Sequence, residues 1–340
     1  MKLSIVDQSP VPEGLTPADA LRNTIDLAQL ADRLGYERYW IAEHHATGSF
    51  ASSAPEILIA RVAAETAHIR VGSGGVMLPH YSPLKVAEVF RMLHALYPAR
   101  IDLGIGRAPG GSPLDTFALR RDRTSRTMPD DFPQQMAELI AFLDANFPDE
   151  HPFREIAVSP AMPGAPEVWL LGSSMWSAAA AAQFGVPYAF AHFIDPTHTR
   201  EAIEYYHHHV NREAGAMAGR TILALGAICA ETDDAAHRLY SSVRAWAQRL
   251  RQGGGRGPIP TPERAMAQVG STHGRLPNDT GEWPRVFVGD QSRLRDELSH
   301  LADVLSIDEI MIVTVVHDHQ ARRRSYELLA EAFGLEPRAG

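Results

Sequence analysis

Four short segments carry residues whose types and spacing could do chemistry. Ala42-Glu43-His44-His45 sets three ionisable side chains at the end of an apolar run, RYWIAEHH. Side chains on a strand alternate with period two, so His44 shares a side with Trp40 and Ala42 while Glu43 and His45 take the other. If the shared side faces a pocket, His44 can move protons, because an imidazole titrates near neutral pH. The divergence of the two histidines argues against a shared metal. The competing reading is a His–Glu hydrogen-bond network that only fixes the end of the strand.

Gly72-Ser73-Gly74-Gly75 interrupts a second apolar run. Without side chains at Gly74 and Gly75 the backbone could approach a flat ring, although glycines in strands mark bulges at least as often. Arg107 emerges between glycines in Gly104-Ile105-Gly106-Arg107-Ala108-Pro109-Gly110. Its planar fork suits phosphate; a solvent-facing arginine in a tight turn is the alternative. The spacing is not GxGxxG, and Pro109-Gly110 predicts a turn rather than a helix start, so a dinucleotide site is not indicated. In Gly172-Ser173-Ser174-Met175-Trp176-Ser177 a strand ends on glycine and a helix opens among hydroxyls. Free N–H groups there could hold an anion, whereas Ser174 as a plain N-cap accounts for the same residues.

Other chemical candidates fall away. His207, His208 and His209 stand on a predicted helix, where successive side chains fan out by about 100°, and cannot converge on one metal. Cys229 sits in an apolar run and reads as a small core residue. HExxH, paired CxxC, Walker and GxSxG patterns are absent from the sequence.

All four segments lie where a short apolar run gives way to an amphipathic one, the junction of strand and helix. The pattern repeats eight times. KLSIVDQS precedes a helix over about 18–34, with Thr16 as N-cap, Pro17 in the first turn and Gly35 as the stop. RYWIAEHH precedes a helix whose start, Ser53-Ala54-Pro55-Glu56, has capping-box spacing. IRVGSGGVML, RIDLGIG, VWLLG, PYAFAHFI, ILALGAICAE and EIMIVTVV are the remaining strands. After RIDLGIG, a polar stretch with Arg120, Arg121, Arg123 and Arg126 reads as a solvated loop; Gly253 to Trp283 reads as a mobile loop with one short helix.

Eight such units in 340 residues predict one domain over 1–340, a (β/α)8 TIM barrel with insertion loops. A doubly wound open sheet has the same local pattern, but about six strands are more usual there and no dinucleotide fingerprint opens the chain. In a barrel the active site lies at the carboxyl ends of the strands, where the four segments fall.

Composition narrows the function. A formal charge of −9, from 41 acidic and 32 basic residues, gives no attraction for nucleic acid or an anionic membrane. One cysteine permits no internal disulfide. The amino terminus is too polar for a signal-peptide core and no apolar run reaches about 18 residues, so a cytoplasmic location is expected.

The segments WIAEHH, GSGGVMLPHYSPLKVAEVFRMLHALYPARIDLGIGRAPGG, WLLGSSMWSAAAAAQFGVPYAF and RSYELLAE, in that order, resemble the bacterial-luciferase-like flavin monooxygenases along nearly the whole chain. The resemblance implies FMN, used as FMNH2 and supplied by a transiently bound NAD(P)H-dependent flavin reductase, with O2 activated to oxygenate a small organic substrate. It implies an isoalloxazine against Gly74 and Gly75, a phosphate held by Arg107 and the turn Gly172, Ser173, Ser174 and Ser177, and His44 beside the flavin to assist its reaction with oxygen. It further implies a non-proline cis peptide, looked for at Gly74-Gly75, and a homodimer. An F420-dependent hydride-transfer enzyme and a non-catalytic flavin-binding subunit are the alternatives within the superfamily. The sequence departs from luciferase in having Gly-Gly where luciferase has small alanines, and the Gly253 to Trp283 loop, a candidate lid, does not obviously match luciferase's own. Bioluminescence and a long-chain aldehyde are therefore not implied.

Overall fold

A computed structural model describes residues 1–108, 112–119, 131–212, 217–270, 273–276 and 279–338. Strands β1 (Lys2–Asp7), β2 (Arg38–Ile41), β3 (Arg70–Met77), β4 (Ile101–Gly106), β5 (Glu167–Gly172), β6 (Tyr188–Ala191) and β7 (Thr221–Cys229) are joined by β8 (Val286–Gly289) and β9 (Glu309–Val313). Every pairing among them is parallel, and β7 and β1 both flank β9, so eight strands close into a barrel. The predicted TIM barrel is the observed fold. β8 is an addition: β7 pairs with β6 from Thr221 to Ala224, and β8 takes over from Gly226 to Cys229. The expected sixth and last strands are shorter than read, stopping at Ala191 and Val313.

Helices α1 (Pro17–Leu34), α2 (Pro55–Ala64) and α3 (Pro83–Leu96) cover the first strands. For α1 the sequence signals are all realised. Thr16 and Asp19 form a capping box, Pro17 opens the helix, and Gly35 ends it at φ 89°. A Cβ on Gly35 would lie 2.3 Å from the Glu336 carbonyl oxygen, a second reason for glycine. The capping box expected at Ser53 does not form. Ala54 is the N-cap of α2 and makes no side-chain cap bond, because Pro55 already occupies the first turn and sets the boundary one residue later than Ser53 requires.

Between β4 and β5 run α4 (Pro113–Leu119) and α5 (Phe132–Asp144). A seven-residue helix thus replaces part of the expected solvated loop; Arg120, Arg121, Arg123 and Arg126 fall outside the described residues. α6 (Met175–Phe184), α7 (Thr199–His209), α8 (Asp233–Arg251), α9 (Pro262–Val269), α10 (Gln291–Leu305) and α11 (His319–Phe333) complete the outer ring. Histidines 207 to 209 bond to Thr221, Glu204 and Tyr205 respectively, and do not converge. Among the described residues no helix is long and apolar enough to cross a membrane.

One core lies between strands and helices; a second fills the barrel itself with Val6, Trp40, Trp169, Ile222 and Met311. At the amino-terminal end of the barrel the fill turns ionic. Arg38 donates to Glu309 at 2.7 Å and to Asp102 at 2.8 Å, and Asp102 also accepts from Trp40 Nε1 at 2.8 Å and Arg70 Nε at 2.9 Å. These are paired charges at the face where barrels keep their stability.

Candidate active site

Past the end of β2 the chain leaves strand geometry at Ile41, so the period-two expectation for His44 is carried by a tethered loop. The His44 N–H donates to the Ser52 carbonyl at 2.8 Å, and its ring lies 4.6 Å from that of Phe50. His44 lines a cavity of about 470 Å3 at the carboxyl ends of the strands, and so does His45, which the alternation put on the opposite side. Its Nδ1 is buried with no hydrogen-bond partner among the described residues. Burial above all, helped by the nearby positive potential of His45 and Arg256, lowers its pKa to about 4. This corrects the expectation of a titrating group near neutrality: at pH 7 His44 is a neutral imidazole with one polar atom unclaimed.

The His–Glu network expected as the competing role for this segment also exists, but through the neighbouring histidine. Glu43 is buried and faces β3, accepting from His45 Nε2 at 2.6 Å, Tyr81 Oη at 2.8 Å and the Met77 N–H at 3.0 Å. His45 bonds outward to Glu43 and still lines the cavity. The two histidines divide the roles between them.

The Gly74-Gly75 peptide is cis, at the step singled out from the sequence. Around it the register between β3 and β4 shifts between Ser73 and Val76, the bulge that glycines in strands commonly mark. Protein atoms already occupy the space a side chain would need: a Cβ on Gly74 would lie 2.9 Å from Val6 Cγ2, and one on Gly75 2.7 Å from the Gly104 carbonyl oxygen. Close packing therefore explains both glycines on that side of the strand.

Arg107 leaves β4 and lays its guanidinium over the Trp176 ring, 4.1 Å from the centroid. That contact brings Arg107 to the first turn of α6. There Ser174 is the N-cap, and it and Ser177 form a capping box. The cap engages the Ser177 N–H at 3.4 Å; the N–H groups of Met175 and Trp176 take no part in it. Ser177 is buried, its hydroxyl donating to the Ser174 carbonyl at 2.6 Å and sharing a hydrogen with Tyr188 at 2.9 Å, so it braces the turn from behind. Gly172 must be glycine because a Cβ would meet Ser177 Cβ at 2.4 Å. Ser173 and Ser174 remain partly or fully exposed at the tip.

The predicted site residues thus fall into two groups at one end of the barrel: Gly74, Gly75, Arg107 and the 172–177 turn on β3 to β5, and His44 at the cavity, which reaches across to β6, β7 and β9. The far wall went unnoticed in the sequence. It includes Phe193 just past β6, Trp246 on α8 and Arg256, which looks like an ordinary loop residue amid glycines. Residues 256–259, inside the segment expected to be mobile, form a tied strap instead. Gly48 N–H donates to the Arg256 carbonyl at 2.8 Å, Ser49 Oγ to Gly257 at 2.8 Å, and Ile259 N–H to Val11 at 2.8 Å. The expected short helix is α9, capped by Thr261. Ser271, Thr272, Pro277 and Asn278 of the same segment lie outside the described residues.

A parallel barrel with a buried imidazole, and an arginine at a helix start, at the carboxyl ends of its strands has the layout of a (β/α)8-barrel enzyme. The model of the luciferase-like monooxygenases matches residues 1–304, and the chain belongs to that family. By that membership it is an oxygen-incorporating oxidoreductase. N-acetyl-S-alkylcysteine monooxygenase of Bacillus subtilis (strain 168) is 36% identical over 336 residues, covering 98% of each chain. The crystal structure of apo-MsnO8 superposes with a TM-score of 0.91 at 50% identity, covering 99% of each chain. The oxygenating constituent of 3,6-diketocamphane monooxygenase from Pseudomonas putida, a type II Baeyer-Villiger monooxygenase solved in complex with FMN, shares the fold with a TM-score of 0.71 at 20% identity, covering 100% of this chain and 99% of its own.

Proposed function

We propose that the protein is the oxygenating component of a two-component FMNH2-dependent monooxygenase acting on a small organic substrate. The observation that carries this reading is His44: a neutral, buried imidazole whose Nδ1 is unpartnered and which faces a cavity at the catalytic end of the barrel. Arg107, stacked on Trp176 at the α6 start, would hold the flavin phosphate together with the N–H groups and hydroxyls of the 173–174 tip. Gly74 and Gly75 would let the ring lie against β3 on the face away from Val6 and Gly104. Bound reduced FMN would supply the two electrons that split O2, one oxygen atom going to substrate and the other to water.

His44 would hold a hydrogen bond at the reacting centre without carrying charge, and the apolar cavity would exclude water. Arg107 and the serines of the 173–174 tip would bind and orient. Reductant would arrive from a separate reductase, since the spacing of the glycines in the sequence from Gly104 to Gly110 is not GxGxxG. A homodimer would follow the general preference for two-fold homo-oligomers. The reading is tested by mixing the anaerobic complex of protein and photoreduced FMN with air. Wild type should consume O2 on the bound flavin, and His44→Ala should slow that step about 100-fold while binding FMNH2 within about twofold of wild type. An unchanged rate in His44→Ala removes the observation on which the reading stands.

A further inference from the structure

The cavity has an uneven chemistry. One wall is apolar, with Phe50, Phe193, Trp246 and Val315 among its residues. The polar lining carries Arg251, Arg256 and Arg285, and no carboxylate side chain lines it among the described residues. That sign runs against the chain as a whole, which carries 41 acidic residues against 32 basic ones. The three arginines come from separate places: the last residue of α8, the strap, and the residue before β8. None is needed to hold the flavin phosphate in the reading above, which places it across the mouth at Arg107.

Arg256 and Arg285 are tethered at the lining, and Arg251 stands at the rim. The Arg256 backbone is fixed by the Gly48 N–H, and its guanidinium lines the cavity while pairing at 3.5 Å with Asp115, which does not line it. Arg285 is part-buried, its backbone N–H donating to the Asp279 carboxylate at 3.0 Å. Arg251 makes no ion pair among the described residues and stands exposed at the rim. A cleft with low-dielectric walls and one sign of charge concentrates ligands of the opposite sign. Guanidinium groups favour planar, two-oxygen anions.

We infer that the substrate is an amphipathic organic acid, its apolar body packed on Phe50 and Trp246 and its carboxylate or comparable anion held by Arg256 and Arg285. The inference rests on the monooxygenase reading only in calling this ligand the substrate; the selectivity of the cavity stands apart from it. A volume of about 470 Å3 holds a body the size of a substituted aromatic ring or a medium alkyl chain with its head group.

The test is isothermal titration calorimetry of the full chain, with and without FMN, using three probes of one shape: 4-phenylbutanoate, 4-phenylbutanamide and 4-phenylbutan-1-amine. The carboxylate should bind at least about tenfold more tightly than the amide and the amine, as a charge-assisted pair supplies. The double variant Arg256→Gln, Arg285→Gln should lose at least about tenfold of carboxylate affinity, keep the amide within about twofold, and keep FMNH2 affinity within about twofold. Retained amide binding shows that the variant is folded. Equal binding of the three probes, no binding of the carboxylate, or an unchanged preference in the variant overturns the inference. So does a loss of FMNH2 affinity in the variant, which would assign these arginines to the flavin. Carboxylate selectivity without O2 consumption on bound FMNH2 would leave the inference standing and remove the monooxygenase reading instead.

Discussion

At the amino-terminal end of the barrel Arg38, with a side chain 1% exposed, lies between Asp102 and Glu309. At the carboxyl end His44 keeps a buried nitrogen with no partner and borders an open cavity. Both ends bury polar groups inside one cylinder of strands. At the first the charges are paired in a network, with Arg38 Nη2 left unpartnered; at the second the buried His44 Nδ1 has neither an ion pair nor a hydrogen bond among the described residues. Burying a polar atom without a partner costs free energy, so the lower end supplies stability and the upper end gives some away where a ligand can satisfy it. Changes at the first should move folding, and changes at the second should move chemistry.

Arg38→Met breaks the contrast most severely. It removes the buried cation shared by Asp102 and Glu309, which keep only the part-buried Arg70 and Arg220, and should cost about 3–5 kcal/mol of unfolding free energy, read from the urea midpoint, with FMNH2 affinity of the folded protein unchanged. Adding Asp102→Asn and Glu309→Gln should recover part of that loss, since part of the penalty belongs to the carboxylates that lose Arg38.

The next effect is in the pH dependence of stability. Burial keeps His44 neutral in the fold down to about pH 4, whereas its ordinary value is 6.5. Between those values the unfolded chain binds the extra proton. The stability associated with neutral His44 is therefore complete above pH 6.5 and is lost progressively as the pH falls toward 4, by about 3 kcal/mol in all. Unfolding curves from pH 7.5 to 4 should lose that component in His44→Ala; identical slopes in the two proteins would show that His44 is not held neutral. For the same reason the rate of the oxygen step should show no His44 titration between pH 6 and 8.

Ser174→Ala should have the smallest effect, about 1 kcal/mol of stability from the lost N-cap. It also sharpens the assignment at that turn. If Ser174 only caps α6, FMNH2 affinity stays within about twofold; if its hydroxyl meets phosphate, affinity falls by more while stability falls equally.

The barrel was legible because parallel strands buried on both faces read as apolar runs, and helices read as amphipathic stretches between them. The start and stop of α1 were legible for a local reason: Thr16, Pro17 and Gly35 act on their own backbone. Arg107 and Ser174 could be flagged from position alone, but their meeting across Trp176 is a tertiary fact. The ionic cluster was visible in principle, since Asp102 stands inside the apolar run of β4 and a buried charge requires a partner. Its partners Arg38 and Arg70, 64 and 32 residues away in sequence, were not. The strap at 256–259 was misread as mobile because glycine and proline report local freedom and say nothing of hydrogen bonds made to Val11 and Ser49. The low pKa of His44 was hidden for a similar reason: burial comes from Phe50 and the strap, not from the strand that carries it.

The central claim, that reduced FMN is held at the carboxyl mouth with its phosphate on Arg107, is tested most directly by anaerobic titration of wild type and Arg107→Ala with photoreduced FMN and with reduced F420. The account predicts that FMNH2 binds wild type more tightly than reduced F420 and that Arg107→Ala loses about 10- to 100-fold of that affinity, the range of a charge-assisted hydrogen-bonded pair. Tight binding of reduced F420 with none of FMNH2, or FMNH2 binding indifferent to Arg107, would contradict it.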